Sequence, residues 1–146
     1  MTRSSMTTAP ANNLRVVFDT NVYFPAFTHP SDPPFRIWEH AVKGSFILLV
    51  SPAILRELAH VLRDTLHFEE AEILARLKLV AKVAEIVSRT ITLRVIAEDP
   101  TDDRILECAV AGAAGLIVSG DHHLRKLKSF RNIGIVQPRD FLRTLG

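Results

Sequence analysis

A single cysteine, Cys108, stands among 146 residues, so no internal disulfide can form. Apolar stretches are short: runs such as Phe46 to Val50 fall well below the roughly 20 residues of a membrane span. The opening segment, Met1 to Asn13, is polar and lacks the apolar core of a secretory signal. These absences predict a cytoplasmic protein with no membrane segment. Glycine is scarce too, at 6 residues, and the 8 prolines follow no period, which excludes collagen-like and low-complexity classes. No GxSxG, GxxxxGK[ST] or GxGxxG occurs, which removes the hydrolase elbow, the P-loop and dinucleotide binding. Without HExxH or a cysteine pair, zinc is the weaker metal reading, although His122 and His123 adjoin Asp121.

What remains is a globular composition, 47% apolar and 23% charged, in a chain long enough to bury about 70% of its unfolded surface around one core. One domain over residues 14–146 is expected, preceded by a mobile leader over residues 1–13. The net charge of +2 is unevenly spread, because Arg125, Lys126, Lys128, Arg131, Arg139 and Arg143 face only Asp140 after His122. That end suits either a solvated surface or a polyanionic partner.

Leu14 to Phe18, Phe46 to Val50, Leu116 to Ser119 and Ile133 to Val136 are apolar apart from Arg15, Ser119 and Gly134, as suits strands buried on both faces. Ile91 to Val95 is predicted as a further strand, third in chain order. Helices are expected over Phe35 to Val42, Pro52 to Arg63 (with Ser51 as N-cap), Glu69 to Ser88, and Asp102 to Ala114 (with Thr101 as N-cap). A short helix from His122 and a last one from Pro138 complete the pattern. Alternating strands and helices predict an α/β protein with a central parallel sheet covered on both faces. The helix over Glu69 to Ser88 carries a second apolar line, Leu79, Val83 and Ile86, which predicts a homodimer that buries it.

Chemistry in such a sheet sits at the carboxyl ends of the strands. Asp19 directly follows one strand and Asp121 follows another after a single glycine. Either alone reads equally as a helix cap or turn aspartate. Glu57 borders the apolar stripe of its helix, three after Ile54 and four before Val61, while Arg56 and His60 mark the exposed side. It must snorkel, find a cation, or face other carboxylates across a metal. Asp102 and Asp103 open a helix, where one acid suffices for the dipole, and Asp103 also borders the core-facing stripe. Acids converging on one rim repel unless a cation lies among them, and oxygen donors select a hard ion such as Mg²⁺ or Mn²⁺. Cys108, in an apolar helical run, reads as an inert core thiol.

The strings VVFDTNV (Val16 to Val22), SPAILRELAHVL, DPTDDRILECAVAGAAGLIVSGD (Asp99 to Asp121) and QPRDFL, in this order, resemble the PIN domain, specifically the bacterial toxins of toxin-antitoxin pairs. The resemblance spans about Leu14 to Leu145 and implies a three-layer α/β/α fold with an Mg²⁺- or Mn²⁺-dependent ribonuclease site. It matches Asp19, Glu57, Asp103 and Asp121 to the four acids of the family, and Asn21 and Ser119 to the polar residues beside the first and last; Asp102 competes with Asp103 for one role. His123 departs from the pattern, since relatives often have another aspartate there. The implied partners are RNA, held through Arg125, Lys126, Lys128 and Arg131, and an antitoxin protein. A non-catalytic nucleic-acid-binding or regulatory module with a structural cation site is the alternative. A phosphotransfer domain with Asp19 as nucleophile is disfavoured by Asn21, where a second aspartate is usual.

Overall fold

The computed structural model describes residues 13–95 and 100–146; of the expected leader, only Asn13 lies within them. Strand β1 (Arg15–Phe18) leads into α1 (Thr20–Thr28) and α2 (Pro33–Lys43), then β2 (Ile47–Val50) and α3 (Pro52–His60). A wider π turn, Val61–Thr65, joins α3 to α4 (Glu70–Val83) and the two-residue β3 (Glu85–Ile86). Then come α5 (Pro100–Ala111), β4 (Leu116–Val118), α6 (His122–Leu127), β5 (Ser129–Phe130), β6 (Ile133–Val136) and α7 (Pro138–Leu145). The strands form one sheet in the order β3-β2-β1-β4-β6-β5, parallel except for β5, and helices flank it in the three-layer arrangement the sequence predicts.

The order of strand addition reverses between the parallel neighbours β1 and β4: β2 and β3 add to one side of β1, and β4 and β6 to the other. This is the topological switch point, where parallel sheets open a crevice beyond the strand ends. Phe18 is level with Val118 across it, so the residues that follow both strands emerge side by side. Val16, Val17, Phe18, Leu49, Ile117 and Val118 are buried completely, which explains their unbroken apolar runs.

Four readings of the sequence need correction. The helix expected to Ser88 stops at Val83, because Ala84 turns extended (φ −90°, ψ 158°) and Glu85–Ile86 pairs with β2. Arg15 holds that strand through Glu85 at 2.6 Å, and the Val87 amide donates to the Val50 carbonyl at 2.7 Å. Sheet pairing thus overrides helical periodicity, and Leu79 and Ile86 do not share a helix face. Ile91 to Val95 is not a strand: its amides go to side chains of α5, Leu93 to Glu107 at 2.8 Å and Val95 to Asp103 at 3.0 Å. Thr101 lies inside the first turn of α5, which begins at Pro100, and does not precede it. That helix also ends early, at Ala111: Ala113 takes a left-handed φ of 56°, and a Cβ on Gly112 would lie 2.9 Å from both Leu49 and Val87. Beyond the four, α1 was not read from the sequence at all.

Candidate active site

Asp19 continues the β1 ladder, its amide donating to the Val118 carbonyl at 2.9 Å, and then turns its side chain back as the N-cap of α1. Oδ1 accepts from the Asn21 amide at 3.4 Å and the Thr20 hydroxyl at 3.3 Å. Oδ2 accepts from the Ser119 hydroxyl at 2.6 Å. Ser119 follows β4 across the switch point, and its oxygen in turn accepts the Asp121 amide at 2.9 Å. The Asn21 side-chain oxygen takes the Gly120 amide at 3.3 Å. Asn21 and Ser119 therefore tie the ends of β1 and β4 together, and with them Asp19 and Asp121.

Asp19 is only 5% exposed and Ser119 is fully buried. Burial pushes the Asp19 carboxyl above the ordinary carboxylate range; the Ser119 hydroxyl and the Asn21 amide oppose the rise, and the charge of Asp121 adds to it. No lysine or arginine among the described residues bonds to Asp19 or Asp121. A buried carboxylate with a second one coupled to it and no basic partner has the donor chemistry of a site for a hard divalent cation.

Asp121 also caps a helix, so the simple structural reading of both aspartates is realised: its Oδ1 accepts from the amides of His123 at 2.8 Å and Leu124 at 3.3 Å. Those bonds leave Oδ2 without a hydrogen-bond partner among the described residues. Nearby, His123 Nδ1 lies 3.6 Å from Asp121 Oδ1, and the rings of His122 and His123 stack at 4.1 Å. Asp121, His122 and His123 each bring a donor atom within 4.8 Å of the others.

The remaining sequence-predicted acids sit on neighbouring helices. Glu57 is half-buried on α3, which packs on both α1 and α5, and it makes no hydrogen bond or ion pair with a described residue. Asp102 and Asp103 are both buried in the first turn of α5, and Asp103 accepts the Val95 amide. Of the predicted basic residues, Arg125 is half-buried on α6, whereas Lys126, Lys128 and Arg131 are exposed. Arg131 lies over the Phe130 ring at 5.2 Å and, with Asn132, takes positive φ in the tight β5–β6 turn.

A family model described as the PIN domain matches residues 15–123. Among solved structures, the chain is similar to VapBC2 from Rickettsia felis, bound to a DNA fragment from their promoter. That match has a TM-score of 0.61 at 16% identity and covers 85% of this chain and 98% of the other. It is similar as well to PAE2754 from Pyrobaculum aerophilum, with a TM-score of 0.59 at 16% identity, covering 96% of this chain and 94% of that one. No curated protein matches. The matched span runs from β1 through Asp121 and His123 and so takes in every acid placed at or beside the switch point: the chain belongs to the PIN domain family.

Proposed function

We propose that the protein is a metal-dependent endoribonuclease, the toxin of a bacterial toxin-antitoxin pair. The observation that carries this reading is the buried Asp19 carboxylate, coupled to Asp121 through Ser119 at the switch point and lacking a basic partner. Asp19, Asp103 and Asp121 would hold Mg²⁺ or Mn²⁺, with Glu57 placed to orient the attacking water or a second ion. When bound, the cation supplies an acidified water and offsets charge on the phosphate under attack. The chain's own residues do the rest: Ser119 and Asn21 fix the two strand ends, so Asp19 and Asp121 are oriented before substrate arrives. Arg125, Lys126, Lys128 and Arg131 would hold the RNA backbone through its phosphates. An antitoxin protein is the expected partner, in keeping with the structural likeness to VapBC2.

A second copy of the chain is the proposed occupant of the groove of about 650 Å³ between the ends of α2 and α4, where Val42 and Leu79 are exposed beside the half-buried Val83. The lining favours a like apolar surface, since only Lys82 and Glu85 interrupt it and Glu85 is already paired with Arg15.

The nuclease test is cleavage of mixed RNA by purified protein with Mg²⁺ or Mn²⁺. Cleavage that EDTA stops, and that Asp19→Asn lowers by roughly a hundredfold or more, is expected for loss of a group acting on the transition state. Metal binding with no cleavage of any RNA would leave the non-catalytic module as the better reading.

A further inference from the structure

A second cavity, of about 380 Å³, opens on the same rim of the sheet as the acids but beyond β2 and β3. Its walls are the start of α3, residues 87–92, and one side of α5. Arg56, Arg89 and Arg104 line it against a single acid, Glu107. That acid is already matched: Arg104 bonds it at 2.7 and 2.8 Å, and the Leu93 amide donates to it at 2.8 Å. Arg56 and Arg89 are exposed and have no ion-pair or hydrogen-bond partner among the described residues. Two guanidinium groups thus face the cavity with their charge uncompensated, and the α3 dipole adds to the positive potential.

The connection to the acids is built into the helices. Arg56 neighbours Glu57 on α3, and Arg104 neighbours Asp103 on α5, so each helix borders both the acids and the cavity. The strands that lead into it, β2 ahead of Ser51 and β3 ahead of Val87, lie one and two strand spacings from β1, at about 5 Å each. We propose that this cavity is a phosphodiester subsite, which holds the backbone of the RNA strand on the side of the scissile bond away from α6. Guanidinium forks suit phosphate oxygens, and the lining includes no aromatic ring on which a base would stack. Its contribution is therefore the same for every sequence. The inference rests on the nuclease reading and extends it to where the strand lies.

The test is the double variant Arg56→Ala, Arg89→Ala, in which two exposed and unpaired side chains are truncated. Binding of labelled single-stranded oligoribonucleotides of different sequence is followed by anisotropy in EDTA, across a range of salt. Loss of two phosphate contacts should weaken binding about tenfold at low salt and flatten the log-log salt slope by about 1.4, alike for all sequences. Inorganic phosphate should compete with RNA on the wild type less than oligonucleotide does, because only a strand reaches the cavity and the basic residues of α6 together. Equal affinity and slope for the two proteins would overturn the subsite even if Mg²⁺-dependent cleavage persists. So would a variant that loses inorganic phosphate binding yet holds RNA normally, which marks a small-anion pocket. Absence of both RNA binding and cleavage in the wild type would instead overturn the nuclease reading, and the subsite with it.

Discussion

The seam between β1 and β4 and the margin beside β3 break the rule of apolar inside and polar outside in opposite senses. At the seam, Asp19 and Ser119 are buried at 5% and 0% exposure. At the margin, Val42, Leu79 and Ile86 stand 56%, 40% and 40% exposed. Each departure costs the isolated chain, the first through desolvated charge and the second through wetted apolar surface. Different ligands would relieve the two, the proposed cation at the seam and the proposed second copy at the margin. Three strands of one sheet, β1, β2 and β3, thus lie between the buried acid and the exposed apolar margin.

The margin yields the largest change. Leu79→Glu places a charge on an exposed apolar site and should convert a dimer to a monomer in sedimentation at tens of micromolar, with the melting temperature little altered. Leu79 is a cleaner site than Val83, which is half-buried against the core. A wild type that sediments as a monomer would remove the partner from this side of the comparison.

At the seam, Ser119→Ala deletes the hydroxyl that donates to Asp19 and accepts from Asp121. Loss of a buried bond to a charged acceptor is expected to cost about 2 kcal/mol, read by urea unfolding. It should also raise the Asp19 carboxyl further, since that bond holds it down.

A smaller effect is a slope with pH. The folded Asp19 carboxyl sits above its unfolded value, so the native state binds more protons between the two. Its contribution to stability is complete below the ordinary carboxylate range and is lost as pH rises through the folded value. Metal-free protein should accordingly gain stability from this group on acidification from neutral pH, and Asp19→Asn should remove that part of the slope. Asparagine still serves as an N-cap, so α1 keeps its start.

How much of this was legible differs between the same two regions. The strands at the seam are buried on both faces, so LRVVF and LIVS stand out as apolar runs, each ending at or near an acid. The cap of α3 was legible in Ser51-Pro52, and Ser51 does accept the Ile54 amide. The hydrogen-bonded chain through Asn21 and Ser119 was not, because residues 100 apart in sequence carry no local sign of contact. Nor was α1, whose Asp19-Thr20-Asn21 start also suits a turn and whose interior contains Pro25. The only signal for it was Asp19 itself, read as an N-cap. At the margin, β3 exists through its pairing with Val50 and the Arg15–Glu85 bond. The β-branched look of Ile91 to Val95 misled because strand propensity reflects fit to a pleated surface that this segment does not join. Arg56, Arg89 and Arg104 were unremarkable in the sequence, since only the fold gathers them around a cavity.

The most direct measurement is thermal unfolding of the wild type, Asp19→Asn and Asp102→Asn, with and without Mg²⁺ or Mn²⁺ in the millimolar range. An ion at a hundred times its dissociation constant stabilises by about 2.7 kcal/mol, several degrees for a chain of this length. Expected is that upward shift in the wild type, its disappearance in Asp19→Asn, and its survival in Asp102→Asn. An unchanged melting temperature in the wild type with both ions would contradict a cation site at the seam, and a shift lost in Asp102→Asn but kept in Asp19→Asn would place the site elsewhere.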